Sequence, residues 1–369
     1  MRYYIIAGEA SGDLHGSNLI KSLKRVDPSA EIRCWGGDLM EQAGGELAKH
    51  YKEMAFMGFL EVVMNIGTIS RNISFCKKDI QQFGPDVVIF IDFSGFNLRI
   101  AKWAKERRFR TNYYISPQVW ASRASRVQKI KRFIDKMYVI LPFEKEFYAR
   151  YNYEVHFVGH PLLDAIGGSA IQDEQTFRKT YHLDPQKRII ALLPGSRKQE
   201  VRKMLSHMLA LVPSFPEYQF VIAGAPSLDK SFYQPFLTER VVGFVSNQTY
   251  SLLSYAYAAL VTSGTATLET ALFKVPQVVC YKGNWISYQI AKRIITLDYI
   301  SLVNLIMEKE VVKELIQGDL TALNLQSELQ KLLEPSHRNE VLLDYDTLEK
   351  KLGGPGASKK AAALIVENL

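Results

Sequence analysis

Short runs of apolar and β-branched residues alternate with helix-length segments along the whole chain. These runs predict β-strands at residues 3–7, 87–91, 111–115, 137–141, 155–158, 188–193, 220–223, 259–262 and 276–281. Nearly continuous apolar strands are typical of parallel sheets that helices cover on both faces. The alternation of strand and helix therefore predicts an α/β protein built from doubly wound parallel sheets.

The pattern divides into two halves. A seam is expected between residues 159 and 183, where Gly167-Gly168-Ser169 and a polar stretch follow the last strand of the first half. We expect two Rossmann-like domains at 1–165 and 166–345, with their functional loops at the carboxyl ends of the strands, facing a shared cleft. The break Gly353-Gly354-Pro355-Gly356 lies within a helical tail at 346–369, whose last helix Ser358 is expected to cap.

Composition narrows the class of protein. A chain of 369 residues with 47% apolar and 23% charged residues is typical of a globular protein with two domains. The cysteines Cys34, Cys76 and Cys280 are too far apart for a zinc knuckle and favour a reducing compartment. The apolar stretch 54–69 contains Glu61 and Asn65 and is shorter than the roughly 20 residues of a spanning helix, so no segment is expected to cross a bilayer.

The net charge of +8 favours anionic partners such as nucleic acid, acidic lipid headgroups or phosphorylated metabolites. A basic cluster between Trp120 and Phe133 contains Arg123, Arg126, Lys129, Lys131 and Arg132. It is either a surface for phosphates or anionic lipids, or a solvated helix face, which is the more frequent case. Aromatic residues are not interleaved with it as a base-stacking platform requires, which disfavours an RNA-binding protein.

Two turns in the second half each follow an apolar strand and begin a helical pattern. They are Leu-Pro-Gly-Ser-Arg at 193–197 and Thr-Ser-Gly-Thr-Ala-Thr-Leu-Glu at 262–269. Unpaired N–H groups at a helix start let an anion approach the main chain where the residues are small. Arg197 can bind two phosphate oxygens, and Glu269 is either a ribose ligand or an ordinary first-turn glutamate. Together the turns suggest a site for the diphosphate and ribose of a sugar nucleotide.

Two turns in the first half carry carboxylates. Gly-Glu-Ala-Ser-Gly-Asp at 8–13 follows the first strand but lacks the spacing of a dinucleotide loop, and Ser11 there is equally well a helix cap. Asp92 ends the strand 87–91, where a general base can reach a substrate hydroxyl. The alternative for Asp92 is an N-cap of the next helix.

Other candidates carry weaker signals. The stretch 54–69 is rich in methionine and phenylalanine, which suit an acyl-chain groove or membrane contact, although ordinary core is the alternative. His15 and His160 are candidate proton carriers, but lone histidines are more often structural. Asp344-Tyr345-Asp346 has the D-x-D form associated with metal-bound sugar nucleotides, yet it follows no strand and is interpreted as coincidence.

Taken in order, these blocks resemble the lipid-A-disaccharide synthase family, which are GT-B glycosyltransferases. The resemblance covers nearly the whole chain. Its blocks are Ala-Gly-Glu-Ala-Ser-Gly-Asp at 7–13, Met-Gly-Phe-Leu-Glu-Val at 57–62, Ile91-Asp92 with Phe96-Asn97, Ser-Pro-Gln-Val-Trp-Ala at 116–121, Leu-Pro-Phe-Glu at 141–144, Gly159-His160, the turns at 193–197 and 263–269, and Asp-Tyr-Ile-Ser-Leu-Val-Asn-Leu at 298–305.

The resemblance implies a GT-B fold of two Rossmann-like domains facing a central cleft, with acceptor and lipid in the first and UDP-sugar in the second. It also implies transfer of a sugar from UDP-2,3-diacylglucosamine to the 6-hydroxyl of 2,3-diacylglucosamine 1-phosphate. The products are a β-1,6-linked lipid A disaccharide 1-phosphate and UDP. Because an α-linked donor gives a β product, the reaction is an inverting direct displacement. Neither a cofactor nor a metal is expected.

The resemblance also assigns site residues. Asp92 is the leading catalytic base, with Glu9 as a second catalytic residue. The remaining assignments are Ser196, Arg197, Gly264, Thr265 and Glu269 for UDP, Ser11 and Asn304 for the cleft or acceptor, and Met57, Phe59, Leu60 and Val63 for acyl or membrane contact.

The chain departs from the family pattern after Asp92. The family commonly has Ile-Asp-x-Pro-Asp-Phe-Asn, whereas here Ser94 and Gly95 replace the proline and the second acid. If that second acid orients the base elsewhere in the family, Asp92 needs another orienting group. Glu9 and Asp13 are the candidates.

Since both substrates are lipids, the resemblance implies a cytoplasmic enzyme bound peripherally to the inner face of the cytoplasmic membrane. It also suggests a homodimer and no nucleic-acid partner. The nearest competing function is another GT-B enzyme such as a UDP-N-acetylglucosamine 2-epimerase, which would have a soluble substrate and no acyl surface.

Overall fold

The computed structural model describes residues 1–53, 66–122, 124–237, 242–283 and 297–369. They form two compact units, one of residues 1–168 with 352–369 and the other of residues 169–351. The first predicted boundary, at 165, lies close to the break between the units. The predicted tail at 346–369 is divided: its first residues end a helix of the second unit, and the rest belongs to the first unit.

The first unit is built on a seven-stranded parallel sheet with strand order β3-β2-β1-β4-β5-β6-β7. Its strands are β1 (Arg2–Ala7), β2 (Glu31–Gly36), β3 (Glu46–His50), β4 (Val87–Ile91), β5 (Arg110–Tyr114), β6 (Lys136–Val139) and β7 (His156–Phe157). Five of these lie close to their predicted positions; β2 and β3 are additional.

Helices cover both faces of this sheet. They are α1 (Ala10–Val26), α2 (Asp38–Gln42), α3 (Ile66–Phe83), α4 (Ser94–Glu106), α5 (Val119–Ser122), α6 (Val127–Phe133), α7 (Glu144–Ala149), α8 (Pro161–Gly167) and the later α17 (Ala357–Glu367). Because successive strand residues point to opposite faces, Tyr4 and Ile6 join one buried cluster and Tyr3 and Ile5 the other. The strands are therefore buried on both sides, as the apolar runs predict.

The final helix returns to the first unit. Ala361, Ala362 and Ile365 of α17 are fully buried in the same cluster as Leu19 of α1. The predicted cap of this helix is wrong, because Gly356, with φ 102°, occupies the N-cap position. The backbone N–H of Ser358 instead donates to the carboxylate of Asp164 at 2.9 Å.

The second unit contains a six-stranded parallel sheet with order β10-β9-β8-β11-β12-β13. Its strands are β8 (Arg188–Leu193), β9 (Tyr218–Gly224), β10 (Gly243–Ser246), β11 (Ala256–Thr262), β12 (Gln277–Tyr281) and β13 (Lys313–Ile316). Its helices are α9 (Glu174–Thr180), α10 (Lys198–Leu209), α11 (Lys230–Leu237), α12 (Thr249–Tyr255), α13 (Thr265–Leu272), α14 (Leu302–Met307), α15 (Ala322–Leu333) and α16 (Pro335–Lys351). Within the described ranges of both units, no helix has the length and apolar character needed to cross a bilayer.

Candidate active site

The two carboxylate-bearing turns of the first unit are neighbours. Strands β1 and β4 pair in parallel with Ala7 opposite Ile91, so the turns that follow them begin side by side. The ring of Phe93 lies so close to Gly8 that a Cβ built there would be 2.3 Å from it. A small recess between the turns is lined by Gly8, Glu9, Ser11, Gly12, Ile91, Asp92 and Phe93.

The backbone at Asp92 adopts a conformation that side chains rarely allow. Asp92 and Phe93 have φ angles of 42° and 47°, two consecutive non-glycine residues in the left-handed region. The buried Asn97 amide donates from Nδ2 to the carbonyl oxygen of Asp92 at 2.8 Å, and the Tyr113 hydroxyl donates to the same oxygen. The Phe93 ring stacks on Phe96 with 5.5 Å between centroids. The surrounding side chains thus hold a strained turn that presents the Asp92 carboxylate.

The Asp92 carboxyl is perturbed toward neutrality. The residue as a whole is exposed, but burial of its carboxyl, the larger cause, and the negative charge of Glu9 together raise the pKa of that carboxyl to about 6. The N-cap of α4 is Phe93, with no side-chain cap hydrogen bond, so Asp92 does not cap that helix. A carboxylate with a pKa near 6 is suited to accept a proton near neutral pH.

The two candidate orienting groups differ. Asp13 is buried, and its carboxylate accepts from the backbone N–H groups of Gly37 at 2.7 Å, Leu39 at 3.2 Å and Met40 at 3.0 Å. Asp13 therefore holds the turn before α2. Glu9 is exposed at the N-cap position of α1 and interacts electrostatically with Asp92.

Ser11 is exposed within the first turn of α1 and does not cap the helix. Its position in the recess beside Asp92 leaves its hydroxyl available to a ligand.

In the second unit, the turn after β8 opens onto α10. Gly195 has a φ of 103°, and the next two residues, Ser196 and Arg197, are exposed. The Ser196 carbonyl oxygen accepts from the Ser227 hydroxyl at 3.0 Å, which fixes the turn. Arg197 occupies the N-cap position of α10, at the end of the helix where backbone N–H groups are unpaired.

The turn after β11 is even more open. Gly264, with a φ of 155°, is the N-cap of α13, and a Cβ added there would meet nothing within 4 Å. Thr265 follows it at the exposed start of the helix. Since Leu193 of β8 pairs with Val261 of β11, the two glycine turns lie at the same edge of the sheet. Two helix starts with accessible backbone N–H groups therefore lie side by side, an arrangement suited to a diphosphate.

Glu269 lies beneath this edge, in α13. It accepts from the Tyr250 hydroxyl at 2.9 Å, and burial raises the pKa of its carboxyl. Tyr250 packs against Phe273 with 5.1 Å between centroids. Tyr250 belongs to α12, the helix directly before β11, and no motif in the sequence marks it as a partner of Glu269.

Asn304 is fully buried and its amide is fully engaged. The oxygen accepts from the N–H groups of Val311 at 2.8 Å and Val312 at 2.9 Å, while the nitrogen donates to Glu314 at 2.9 Å. Glu314 also accepts from the N–H groups of Ile300 and Ser301, each at 2.9 Å. Asn304 and Glu314 thus hold the segment from Ile300 to Asn304.

That segment is joined to the glycine turn. The Ser263 hydroxyl donates to the carbonyl oxygen of Ile300 at 3.2 Å, next to Gly264. Asn304 therefore helps to position the Gly264 turn through the segment 300–304, which Ser263 contacts. Glu314, which belongs to a strand that the sequence did not reveal, shares this role.

Of the remaining candidates, His160 and the two aspartates have structural partners, whereas the buried Nδ1 of His15 has no hydrogen-bond partner within the described part of the chain. His160 is buried and its Nδ1 accepts from the Leu162 N–H at 3.2 Å, and burial lowers its pKa to about 3. Burial likewise lowers the pKa of His15 to about 4. Asp344 and Asp346, on α16, form ion pairs with Lys309 and Lys274 respectively. No group of ligands suited to a metal occurs in the described part of the chain. The candidates Met57, Phe59, Leu60 and Val63, and Arg123 of the basic cluster, lie outside the described residues.

Comparisons with known proteins give two kinds of result. A family model described as lipid-A-disaccharide synthetase matches residues 3–367. The lipid-A-disaccharide synthase of Geobacter sulfurreducens is 37% identical over 375 residues, covering 100% of this chain and 97% of the relative. The lipid-A-disaccharide synthase of Coxiella burnetii strain Dugway 5J108-111 is 37% identical over 370 residues, covering 99% of this chain and 97% of the relative.

Solved structures resemble the fold at low identity. A UDP-GlcNAc 2-epimerase from Neisseria meningitidis, bound to UDP-GlcNAc, has a TM-score of 0.73 at 14% identity, with all of both chains covered. The glycotransferase of kitacinnamycin has a TM-score of 0.68 at 12% identity, covering 100% of this chain and 99% of that one. At such identities the likeness concerns the fold alone. It confirms the predicted α/β class and GT-B architecture.

Proposed function

The chain belongs to the lipid-A-disaccharide synthase family of glycosyltransferases, and we propose the following substrates and residue roles for it. The donor is UDP-2,3-diacylglucosamine and the acceptor is 2,3-diacylglucosamine 1-phosphate. The 6-hydroxyl of the acceptor displaces UDP from the anomeric carbon with inversion. The substrates follow from the family match over residues 3–367. The observation that carries the residue roles is the Asp92 carboxyl, held by a strained turn at the end of β4 in one recess with Glu9.

Asp92 acts as the general base. As the acceptor oxygen forms its bond to the anomeric carbon, the Asp92 carboxylate takes the hydroxyl proton and the bond to the UDP oxygen breaks. Glu9 tunes this base, because its nearby negative charge favours the protonated form of Asp92 and brings the pKa closer to neutrality. Glu9 is thus the acid that acts on Asp92 in a chain that has Gly95 in place of the family's second acid. Ser11, in the same recess, is placed to bind the acceptor sugar.

The second unit holds the leaving group. The backbone N–H groups at Ser196, Gly264 and Thr265 face the diphosphate, and Arg197 neutralises the charge that develops as UDP departs. Glu269 accepts a hydrogen bond from the ribose, oriented by the Tyr250 hydroxyl. Asn304 supports the Gly264 turn from behind through the segment that Ser263 contacts.

The lipid character of both substrates supports a peripheral location. We propose that the chain binds the cytoplasmic face of the inner membrane and that Met57, Phe59, Leu60 and Val63 contact acyl chains there. Methionine and phenylalanine side chains adapt to such apolar surfaces. A homodimer is the oligomeric state proposed from family likeness.

The test is a direct assay of the product. The purified protein is incubated with both diacylated monosaccharides, and the lipid extract is examined by mass spectrometry. We expect a disaccharide 1-phosphate, with one UDP released per disaccharide, and loss of product in the Asp92→Asn variant. A protein that forms no disaccharide but epimerises UDP-N-acetylglucosamine at carbon 2 would instead be the competing GT-B enzyme.

A further inference from the structure

A basic groove lies between α4 and α6 of the first unit. It has a volume of about 990 Å³ and begins at Ser94 and Gly95, directly after the Asp92 turn. Its cationic lining residues are Arg99, Lys102, Arg126, Lys129, Lys131 and Arg132. None of the described residues that line it is acidic. The groove therefore concentrates positive charge in one concave volume.

Much of this charge is uncompensated. Arg99 and Lys129, one on each wall, are exposed and form no ion pair within the described part of the chain. Lys102 approaches only its own helix neighbour Glu106, at 3.9 Å. Lys131 donates to the carbonyl oxygen of Tyr151, a neutral partner, at 3.3 Å. Like charges held close together repel, and an anion in the groove relieves that repulsion.

The position of the groove relates it to the proposed base. Arg99 lies five residues along α4 from Ser94, so at 1.5 Å per residue it is about 8 Å along the helix axis from the start of α4. A sugar whose hydroxyl reaches Asp92 would present its far side toward Arg99 and the opposite wall.

We propose that this groove binds the phosphate monoester of the acceptor sugar, with Arg99 and Lys129 as determinants of specificity for the phosphorylated acceptor. The proposal rests on the proposed function, because it takes Asp92 as the group that meets the acceptor hydroxyl. A phosphate monoester carries about −1.5 to −2 charges at pH 7. Cations on two facing walls can contact several of its oxygens at once, whereas a flat lipid surface would contact the rims alone.

The first test measures binding without turnover. Glucosamine 1-phosphate, which has no acyl chains, is titrated against the full-length protein with UDP present to occupy the second unit, and its ³¹P resonance is followed. The Arg99→Gln/Lys129→Gln double variant is expected to bind about 10-fold more weakly or worse, the usual effect of losing a hydrogen bond to a charged group. Lys21→Gln, which removes an exposed cation of α1, is the matched control and should bind as the wild type does.

The second test compares acceptors in the transfer reaction. The double variant should show a KM about 10-fold higher for 2,3-diacylglucosamine 1-phosphate, with little change for the same acceptor without its phosphate. Its sedimentation with phosphatidylglycerol vesicles should match that of wild type. Thermal unfolding of both variants checks that they are folded.

Two results would overturn the proposal. One is an equal rise in KM for both acceptors, which means that the groove does not distinguish the phosphorylated acceptor. The other is loss of vesicle binding while the KM for the phosphorylated acceptor stays normal, which makes the groove a membrane surface. A wild-type protein that makes no disaccharide overturns the proposed function instead, and the titration with glucosamine 1-phosphate still decides whether the groove binds phosphate.

Discussion

The turn after β4 and the turn after β11 occupy equivalent places in their sheets but are built differently. At the first, Asp92 and Phe93 adopt left-handed backbone angles without glycine, held by Asn97 and Tyr113. At the second, Gly264 adopts a positive φ with nothing within 4 Å of the position of a Cβ. Non-glycine residues in such conformations cost about 1–3 kcal/mol each.

The difference separates two tasks. A turn that keeps side chains in a strained conformation does so to aim one of them, here a carboxylate with a raised pKa. A turn that removes side chains exposes backbone N–H groups to a ligand. We therefore assign chemistry to the turn of the first unit and binding to those of the second, and each prediction below tests that division.

The largest effect is expected at Asp92. Asp92→Asn keeps the side-chain shape and suits the left-handed backbone, but it removes the base, so turnover should fall roughly 10²–10⁴-fold. UDP affinity, measured by calorimetry, should stay as in wild type. Near-normal turnover in this variant would move the base to Glu9 or His15.

The next effect concerns the second unit. Arg197→Ala should weaken UDP binding by about 1.5–3 kcal/mol, since it removes hydrogen bonds to a charged group. Lys203→Ala, an exposed cation further along the same helix, is the control and should leave the affinity unchanged. Equal affinities for all three proteins would remove Arg197 from the site.

Two glycine substitutions sharpen the comparison. A Cβ at Gly8 collides with the Phe93 ring, so Gly8→Ala should destabilise the protein by about 1–3 kcal/mol, as overpacking does, and lower turnover by displacing Asp92. Gly264→Ala meets no neighbour and is disfavoured only by its φ angle. It should raise the Kd for UDP while turnover at saturating substrate is kept. Chemical denaturation and steady-state kinetics would measure these effects in both variants. Normal turnover in Gly8→Ala together with lost turnover in Gly264→Ala would contradict the division.

The strands show how much of the fold the sequence can predict. Buried strands such as β4 and β8 are continuous apolar runs, and their predicted bounds agree with the structure. The missed strand β2 interleaves Glu31 and Arg33 with apolar residues, and β13 begins with Lys313 and Glu314. Such strands form because they pair with a neighbouring strand, as β13 pairs with β12. Their own composition does not reveal them.

The site shows the same limit. The sequence could place the candidates Asp92, Arg197 and Gly264 in turns at strand ends, the places where parallel sheets gather functional residues. The residues that support them could not be predicted from the sequence. Tyr250 contacts Glu269, and Glu314 contacts the Ile300 segment, only because the folded chain brings their elements together. The positive φ of Asp92 is equally hidden, since no glycine marks it.

The most direct test of Asp92 as the base is the pH dependence of kcat/KM, which reports the pKa values of the free enzyme. The base works only when deprotonated, and burial together with Glu9 raises its pKa to about 6. We predict that kcat/KM falls as the pH drops below about 6, and that Glu9→Gln moves this limb to lower pH by removing the neighbouring negative charge. A profile that stays level through pH 6, or a limb that Glu9→Gln leaves in place, would contradict the account.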